Sequence, residues 1–181
     1  NFNLQAFADS SYQGLGKDSV SAQQIEKFQP KSLPPELTRR IQSFFDIRAP
    51  GMGMIHPDGK QLFFTWKITG VTHVFKLDNP KGFPVQLTGG EDATGLVDLT
   101  ADGKFLVITR DRNGEENPGL YLQSTRGGEL KKIQHLPKIQ TLFAFSSEDS
   151  RYIYYRSNDV KADSYYIYRY DIKTEKKELV F

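Results

Sequence analysis

At 181 residues, the chain is long enough for one domain with its own core, and its 38% hydrophobic and 25% charged residues are typical of a globular protein. The formal net charge of +2, from 24 basic and 22 acidic residues, gives no electrostatic basis for binding nucleic acid. The absence of cysteine excludes disulfides, cysteine-ligated zinc and thiol catalysis. No stretch approaches the roughly 18 apolar residues of a membrane span, so no membrane insertion is expected.

Residues 1–48 are predicted to form an N-terminal arm and a helix that precede the main domain at 49–181. The arm is polar, and only Ser21-Ala22-Gln23-Gln24 resembles a capping box that opens a short helix. Apolar residues then follow at helical spacing, namely Leu37, Ile41, Phe44 and Phe45. This spacing predicts a short amphipathic helix over roughly 35–45.

A short turn at His56-Pro57-Asp58-Gly59-Lys60 returns twice further along the chain. The later copies are Thr100-Ala101-Asp102-Gly103-Lys104 and Glu148-Asp149-Ser150-Arg151, so the aspartates recur at intervals of about 45 residues. An Asp-Gly pair tolerates positive φ and closes a tight connection between two strands at little steric cost. The third copy carries Ser150 in place of glycine. The repeat predicts three equivalent units.

Each unit holds four short runs of β-branched and aromatic residues bounded by Gly, Asp, Asn and Pro. The predicted strands are 52–55, 61–68, 72–77 and 84–88, then 95–99, 105–110, 120–124 and 130–134, then 141–145, 152–157, 165–171 and 176–181. Four-stranded units of about 40 to 45 residues are typical of β-propeller blades. The sequence therefore predicts an all-β domain, a partial β-propeller of three antiparallel blades at about 49–90, 91–136 and 137–181.

Three blades are fewer than a closed ring needs, because propellers typically have 4 to 8 blades. Each terminal blade would present an apolar sheet face to water. Three explanations stay open. The chain is part of a longer polypeptide, another chain completes it, or it closes a ring as an oligomer through its open blade edges.

The sequence carries no recognisable catalytic or metal-binding signature. An α/β-hydrolase nucleophile elbow needs Gly-x-Ser-x-Gly, and the chain has no such pentapeptide, so no catalytic residue is assigned. His56, His73 and His135 form neither a His-Glu-x-x-His motif nor a close pair. Each histidine is expected to be structural, and no metal or other cofactor is predicted.

The most site-like stretch is the polar loop 110–118, between the second and third strands of the second blade. If Glu115 and Glu116 turn inward, they are suited to hold a cationic group such as a substrate amine, while Arg110 or Arg112 is suited to hold a carboxylate. The simpler interpretation is a surface hairpin with mixed charges. A corresponding loop is predicted at 158–163 in the third blade.

Tyrosines crowd the third blade, namely Tyr152, Tyr154, Tyr155, Tyr165, Tyr166, Tyr168 and Tyr170. Side chains alternate between the two faces of a strand, so one set of tyrosines points inward and the other points to the opposite face. Most are expected to pack between blades.

Five strings stand out beside the blade pattern: Leu33-Pro34-Pro35-Glu36-Leu37, Asp46-Ile47-Arg48, the stretch 82–92, Gly114-Glu115-Glu116-Asn117-Pro118-Gly119-Leu120-Tyr121, and Tyr166-Ile167-Tyr168-Arg169-Tyr170-Asp171. Together they resemble the amino-terminal propeller of a bacterial prolyl oligopeptidase family serine peptidase, in the dipeptidyl-aminopeptidase and acylaminoacyl-peptidase branch. The resemblance covers roughly residues 20 to 181.

The resemblance implies a two-domain enzyme whose propeller covers, and filters access to, a carboxy-terminal α/β-hydrolase domain carrying Ser, Asp and His. That domain and several blades are absent from this chain, so the chain alone is not expected to hydrolyse peptides. The expected partners are the remaining blades, the hydrolase domain and peptide substrates. The alternative is a non-enzymatic β-propeller scaffold for protein binding. The start at Asn1 favours a processed, exported or periplasmic protein, with the cytoplasm as the alternative.

Overall fold

The computed structural model describes residues 20–181, and the first 19 residues of the predicted arm lie outside this part of the chain. The chain divides into two units between Ile47 and Arg48. Within residues 20–181, the first unit holds the helices and the second holds the strands.

Two helices make up the described part of the first unit. Helix α1 spans Ala22–Phe28, and the Ser21 hydroxyl oxygen caps it by accepting a hydrogen bond from the backbone N–H of Gln24 at 3.2 Å. Helix α2 spans Pro35–Phe45 and begins with proline, whose missing N–H is no loss in a first helical turn. Both helices lie where the sequence predicts them. No helix within residues 20–181 combines the length and apolarity needed to cross a membrane.

The second unit consists of three four-stranded antiparallel sheets, each with its strands in chain order. The first blade holds β1 (Pro50–Ile55), β2 (Leu62–Trp66), β3 (His73–Leu77) and β4 (Val85–Gln86). The second holds β5 (Thr94–Leu99), β6 (Phe105–Arg110), β7 (Gly119–Ser124) and β8 (Lys131–Gln134). The third holds β9 (Thr141–Ser146), β10 (Tyr152–Lys161), β11 (Ser164–Asp171) and β12 (Lys177–Leu179). The predicted fold class is confirmed.

The repeated turn joins the first two strands of every blade with the same backbone geometry. The residue after the aspartate has positive φ in all three copies, 73° at Gly59, 71° at Gly103 and 57° at Ser150. In each copy the aspartate Oδ1 accepts a hydrogen bond from the backbone N–H two residues further on, at 2.9 to 3.1 Å. Ser150 therefore adopts the left-handed conformation that the two glycines adopt at lower cost.

The core lies between the blades. One apolar cluster joins the first two blades and consists of Phe63, Val74, Leu96, Leu106 and Ile108. The other joins the second and third blades and consists of Val107, Leu120, Leu122, Ile133, Ile153, Tyr155, Tyr168 and Tyr170. Alternation along β6 sends its side chains to both clusters, which explains why this strand is apolar on both faces.

The tyrosines of the third blade divide between the two faces of its sheet. Tyr155, Tyr168 and Tyr170 are buried against the second blade, and Tyr166 is partly buried against the same cluster. On the opposite face, Tyr154 stacks on Phe145 with ring centroids 4.5 Å apart. The prediction that the tyrosines pack between blades is thus confirmed for the buried set.

The prediction of a loop at 158–163 is wrong. Strand β10 continues to Lys161 and β11 begins at Ser164, so only a two-residue turn separates them. The polar side chains in the last part of β10 form hydrogen bonds with neighbouring groups. Asn158 Oδ1 accepts a hydrogen bond from the backbone N–H of Gln140 at 2.8 Å, and Tyr168 donates to Asp159 Oδ1 at 2.7 Å. Polar composition suggested a loop, but long-range hydrogen bonds stabilise a strand here.

Candidate functional site

The loop 110–118 connects the central strands β6 and β7 at one end of the second blade. Three of its residues have positive φ, namely Asn113 (53°), Gly114 (72°) and Glu116 (57°). The backbone N–H of Asn113 donates to Asp92 Oδ1 at 2.8 Å, which ties the loop to the connection between the first and second blades. The loop is therefore anchored at its middle.

Arg112 and Glu115 form a two-point ion pair within the loop. Arg112 Nη2 lies 2.9 Å from Glu115 Oε2, and Arg112 Nε donates to Glu115 Oε1 at 3.3 Å. This hydrogen bonding holds the pKa of Glu115 below its usual value and raises the pKa of Arg112. A cationic ligand of Glu115 has to share the carboxylate with Arg112 or displace it.

The other two predicted site residues lie apart from this ion pair. Arg110 Nε is 4.0 Å from Asp92 Oδ2, and the guanidinium lies so close to Gly90 that a Cβ there would be 2.6 Å from Nη2. Glu116 is exposed, and its carboxylate makes no hydrogen bond or ion pair within residues 20–181. The structure thus brings Arg112 and Glu115 together and leaves Glu116 open to solvent.

An acid-lined cavity of about 270 Å³ lies beside the loop, between the first and second blades. Glu91, Asp92 and Asp111 line it, with Lys67 as the one basic residue. Asp111 Oδ1 is buried and accepts no hydrogen bond from the described part of the chain. These carboxylates favour a cationic group such as an ammonium.

Sequence reasoning missed this cavity because Glu91 and Asp92 lie about 20 residues before Asp111 in the chain. The available signal was Asp111 itself, which directly follows the last residue of a strand, where binding groups often lie. Within residues 20–181, no three His, Asp or Glu side chains are arranged so that they could hold a metal ion.

The histidines support the surrounding backbone. His73 Nε2 donates to the carbonyl oxygen of Gly90 at 3.1 Å, and His135 Nδ1 lies 2.6 Å from the Tyr121 hydroxyl. Burial lowers the pKa of both His73 and His135, so each ring is uncharged at neutral pH. His56 instead reaches the second blade, where its Nε2 donates to the Gly103 carbonyl oxygen at 3.1 Å. These contacts agree with the predicted structural role.

The sequence matches no known family model and no curated protein. Solved structures do resemble the chain. TolB from Acinetobacter baumannii is 23% identical with a TM-score of 0.51, over 71% of this chain and 31% of that protein. A prolyl endopeptidase is 14% identical with a TM-score of 0.57, over 80% and 24%. Oligogalacturonate lyase from Vibrio parahaemolyticus is 15% identical with a TM-score of 0.55, over 75% and 42%.

The chain therefore spans less than half the length of each of these proteins. Their names cover different activities, so at this level of identity the likeness shows the fold and not the function. The three sheets are blades of a β-propeller.

Proposed function

We propose that the chain is a non-catalytic propeller portion of a prolyl oligopeptidase-like serine peptidase, and that it selects the peptides that reach a separate α/β-hydrolase domain. The observation that carries the proposal is the match to a prolyl endopeptidase over 80% of this chain, with a TM-score of 0.57. A match to tricorn protease over 72% of the chain gives further support. The sequence strings around the blades resemble the same family.

The outer face of the third blade supports completion by further blades. Large apolar side chains lie on it in contact with solvent, with 53% of Phe145, 45% of Tyr165 and 40% of Ile167 exposed. An exposed group of large apolar side chains on one sheet face marks a surface that can pack against another element. Further blades of the parent chain, packed as the second blade packs on the third, cover it in this proposal.

Substrate selection is proposed for loop 110–118 and the acid-lined cavity beside it, which together form one rim of the blades. The carboxylates of Glu115 and Glu116, together with the acid-lined cavity beside them, attract the amino terminus of a peptide. Arg110 or Arg112 binds a substrate carboxylate. The hydrolase domain supplies the nucleophile, because the chain has no Gly-x-Ser-x-Gly sequence.

The reading frame of the parent gene tests the proposal directly. A Gly-x-Ser-x-Gly motif in a predicted α/β-hydrolase domain downstream supports it, and so does labelling of the complete gene product by a fluorophosphonate. A reading frame without such a domain contradicts it. The alternative, a non-enzymatic propeller that binds proteins, then explains the aromatic face of the third blade as a partner surface.

A double variant of the complete enzyme tests the rim. Glu115→Gln with Glu116→Gln is expected to lower kcat/KM for peptides with a free amino terminus by roughly tenfold relative to N-acetylated peptides, because charge-assisted contacts to the amine are lost. Glu148→Gln with Glu129→Gln, which removes the same charge elsewhere, is the control. Equal losses on free and acetylated peptides would mean that Glu115 and Glu116 do not bind the substrate amine.

Two further predictions accompany the proposal. Cell fractionation is expected to find the protein in an exported or periplasmic fraction, with the cytoplasm as the alternative.

If the isolated chain instead closes a ring through its open blade faces, light scattering will give at least twice the subunit mass of 20.6 kDa.

A further inference from the structure

A second cleft lies between the first and second blades, at the end of the sheets that carries the Asp turns. It encloses about 510 Å³, a volume typical of sites for small molecules and short peptides. The first blade contributes His56, Gln61 and Lys76 to its lining, and the second blade contributes residues 102–105 and 124–126. None of the residues assigned to the rim lines this cleft.

Positive charge predominates in the lining, where Lys76, Lys104 and Arg126 face one acid, Asp102. Lys104 Nζ lies 2.9 Å from Asp102 Oδ2, so these two charges largely offset each other. Lys76 Nζ lies 3.1 Å from Asp78 Oδ1.

Arg126 differs from the two lysines. Its backbone N–H donates to Ser124 Oγ at 3.1 Å, whereas its guanidinium makes no hydrogen bond or ion pair within residues 20–181. An anion that enters the cleft therefore meets an arginine with all its side-chain donors unused.

The wall of the cleft is held in place before any ligand arrives. The carbonyl oxygen of Gly103 accepts hydrogen bonds from His56 Nε2 at 3.1 Å and from Thr125 Oγ1 at 2.9 Å. A Cβ at position 103 would lie 2.2 Å from His56 Nε2, so the two blades approach each other as closely as glycine allows. A preorganised wall reduces the entropy lost when a ligand binds.

We propose that this cleft binds a peptide carboxylate, with the Arg126 guanidinium as its two-point partner. Because Asp102 pairs with Lys104 and Asp78 pairs with Lys76, Arg126 leaves one unbalanced positive charge, which matches a carboxylate better than a phosphate dianion. The Gln61 amide, the Ser124 hydroxyl and the Phe105 ring offer polar and apolar contacts to a peptide backbone and side chains. The carboxylate comes from a peptide C-terminus or from a Glu or Asp side chain, and the site does not depend on the proposed peptidase function.

Fluorescence polarisation with the 181-residue chain tests the proposal and separates the two sources. The probes are three peptides that carry the same uncharged dye: tetra-alanine with a free C-terminus, the same peptide amidated, and an amidated version with one internal glutamate. At least one carboxylate-bearing probe is expected to bind roughly tenfold more tightly than the neutral probe. Equal binding of all three contradicts the proposal.

Two variants locate the site. Arg126→Gln is expected to weaken binding of the carboxylate probe by roughly tenfold, because it removes the unpaired cation. Asp102→Asn is expected to strengthen binding several-fold, because it releases Lys104 while an amide oxygen still accepts the turn hydrogen bond. Both residues lie at the surface of a turn, so each variant is expected to fold.

Arg156→Gln is the matched control, because it removes the same charge from the third blade and is expected to leave binding unchanged. An Arg126→Gln variant that binds like the wild type overturns the proposal, as does an equal loss in the Arg156→Gln control. Displacement of the probe by inorganic phosphate at lower concentrations than acetate overturns the assignment to carboxylate.

Discussion

The two junctions between blades join similar sheets through different groups. At the junction of the first and second blades, hydrogen bonds across the junction end on backbone carbonyls. His56 Nε2 donates to Gly103, and Gln123 Nε2 donates to Leu87 at 2.9 Å. The apolar cluster here is mainly aliphatic.

At the junction of the second and third blades, side chains bond chiefly to side chains. Gln134 Nε2 donates to Ser157 Oγ at 2.7 Å, and the Tyr155 hydroxyl donates to Gln134 Oε1 at 3.3 Å. An ion pair of 2.6 Å between Lys131 Nζ and Glu175 Oε1 crosses the same junction nearer the surface. Stacked tyrosines fill the cluster beneath, with the Tyr155 and Tyr168 ring centroids 5.4 Å apart.

The difference shows that one blade repeat supports two kinds of interface. The first junction depends on side chains of one blade that reach the backbone of the other, and it leaves a cleft. The second depends on large side chains with buried hydroxyl and amide groups, each of which needs its partner. Substitution of a glycine is therefore expected to destabilise the first junction, and substitution of a tyrosine is expected to destabilise the second.

The largest effect is expected from Tyr155→Ala. This side chain is fully buried, so its removal leaves a cavity, which lowers the free energy of unfolding by about 3 to 5 kcal/mol. Chemical denaturation measures the loss. Tyr165→Ala, on the exposed face of the same sheet, is the control and is expected to cost less than about 1 kcal/mol. Similar losses for the two variants would mean that Tyr155 does not hold the junction.

A smaller effect is expected from Gly103→Ala, at about 2 to 3 kcal/mol, because alanine has to adopt positive φ and its Cβ meets the His56 ring. Gly59→Ala is the matched control. Gly59 holds the same turn position with φ of 73° and has open space around it, so only the conformational cost of about 1 kcal/mol remains.

A second substitution separates the two causes. His56→Ala in the Gly103→Ala background is expected to recover part of the excess loss, measured as the coupling in a double-mutant cycle. Additive losses would show that the close approach of the two blades contributes nothing at this glycine.

The smallest change in stability is expected from raising the pH, which deprotonates tyrosines at the junction of the second and third blades. Burial, followed by the hydrogen bond to Asp159, raises the pKa of Tyr168 to about 12 from a usual value of 10.0. Burial also raises the pKa of Tyr155. Above pH 10 the unfolded chain releases these protons and the folded chain retains them, so stability is complete below pH 10 and falls as the pH rises toward 12.

Unfolding free energies measured between pH 9 and 10.5 check this slope. Tyr168→Phe removes one of the titrating groups, so the decline is expected to become shallower. An unchanged slope would contradict a buried, protonated Tyr168.

Local sequence signals predicted the blades well because the information for each turn lies within a few residues. The Asp102 carboxylate bonds to the N–H of Lys104, and this contact needs no other blade. Ser150 shows the same principle, since it follows the turn geometry despite lacking the freedom of glycine. The run at 158–163 forms mostly strand and not the predicted loop, because contacts from Gln140 and Tyr168 stabilise it and sequence patterns do not reveal such contacts.

The candidate site was less predictable. The loop 110–118 lies where the sequence placed it, but the pairing of Glu115 with Arg112 depends on the side-chain geometry of a folded turn. The acid-lined cavity and the cleft beside Arg126 are each lined by residues from two blades. The residues that line either of them are far apart in the sequence.

The sequence by itself determined the repeat, the turns and the alternation of side chains, because these follow from dihedral preferences and strand periodicity over short distances. Only the tertiary structure decided which charges are paired and which remain free. Arg126 and Lys104 are similar cations in the sequence, yet one has an unpaired guanidinium and the other lies against Asp102. Charge pairing depends on distances of a few ångströms, which are set by how the sheets pack.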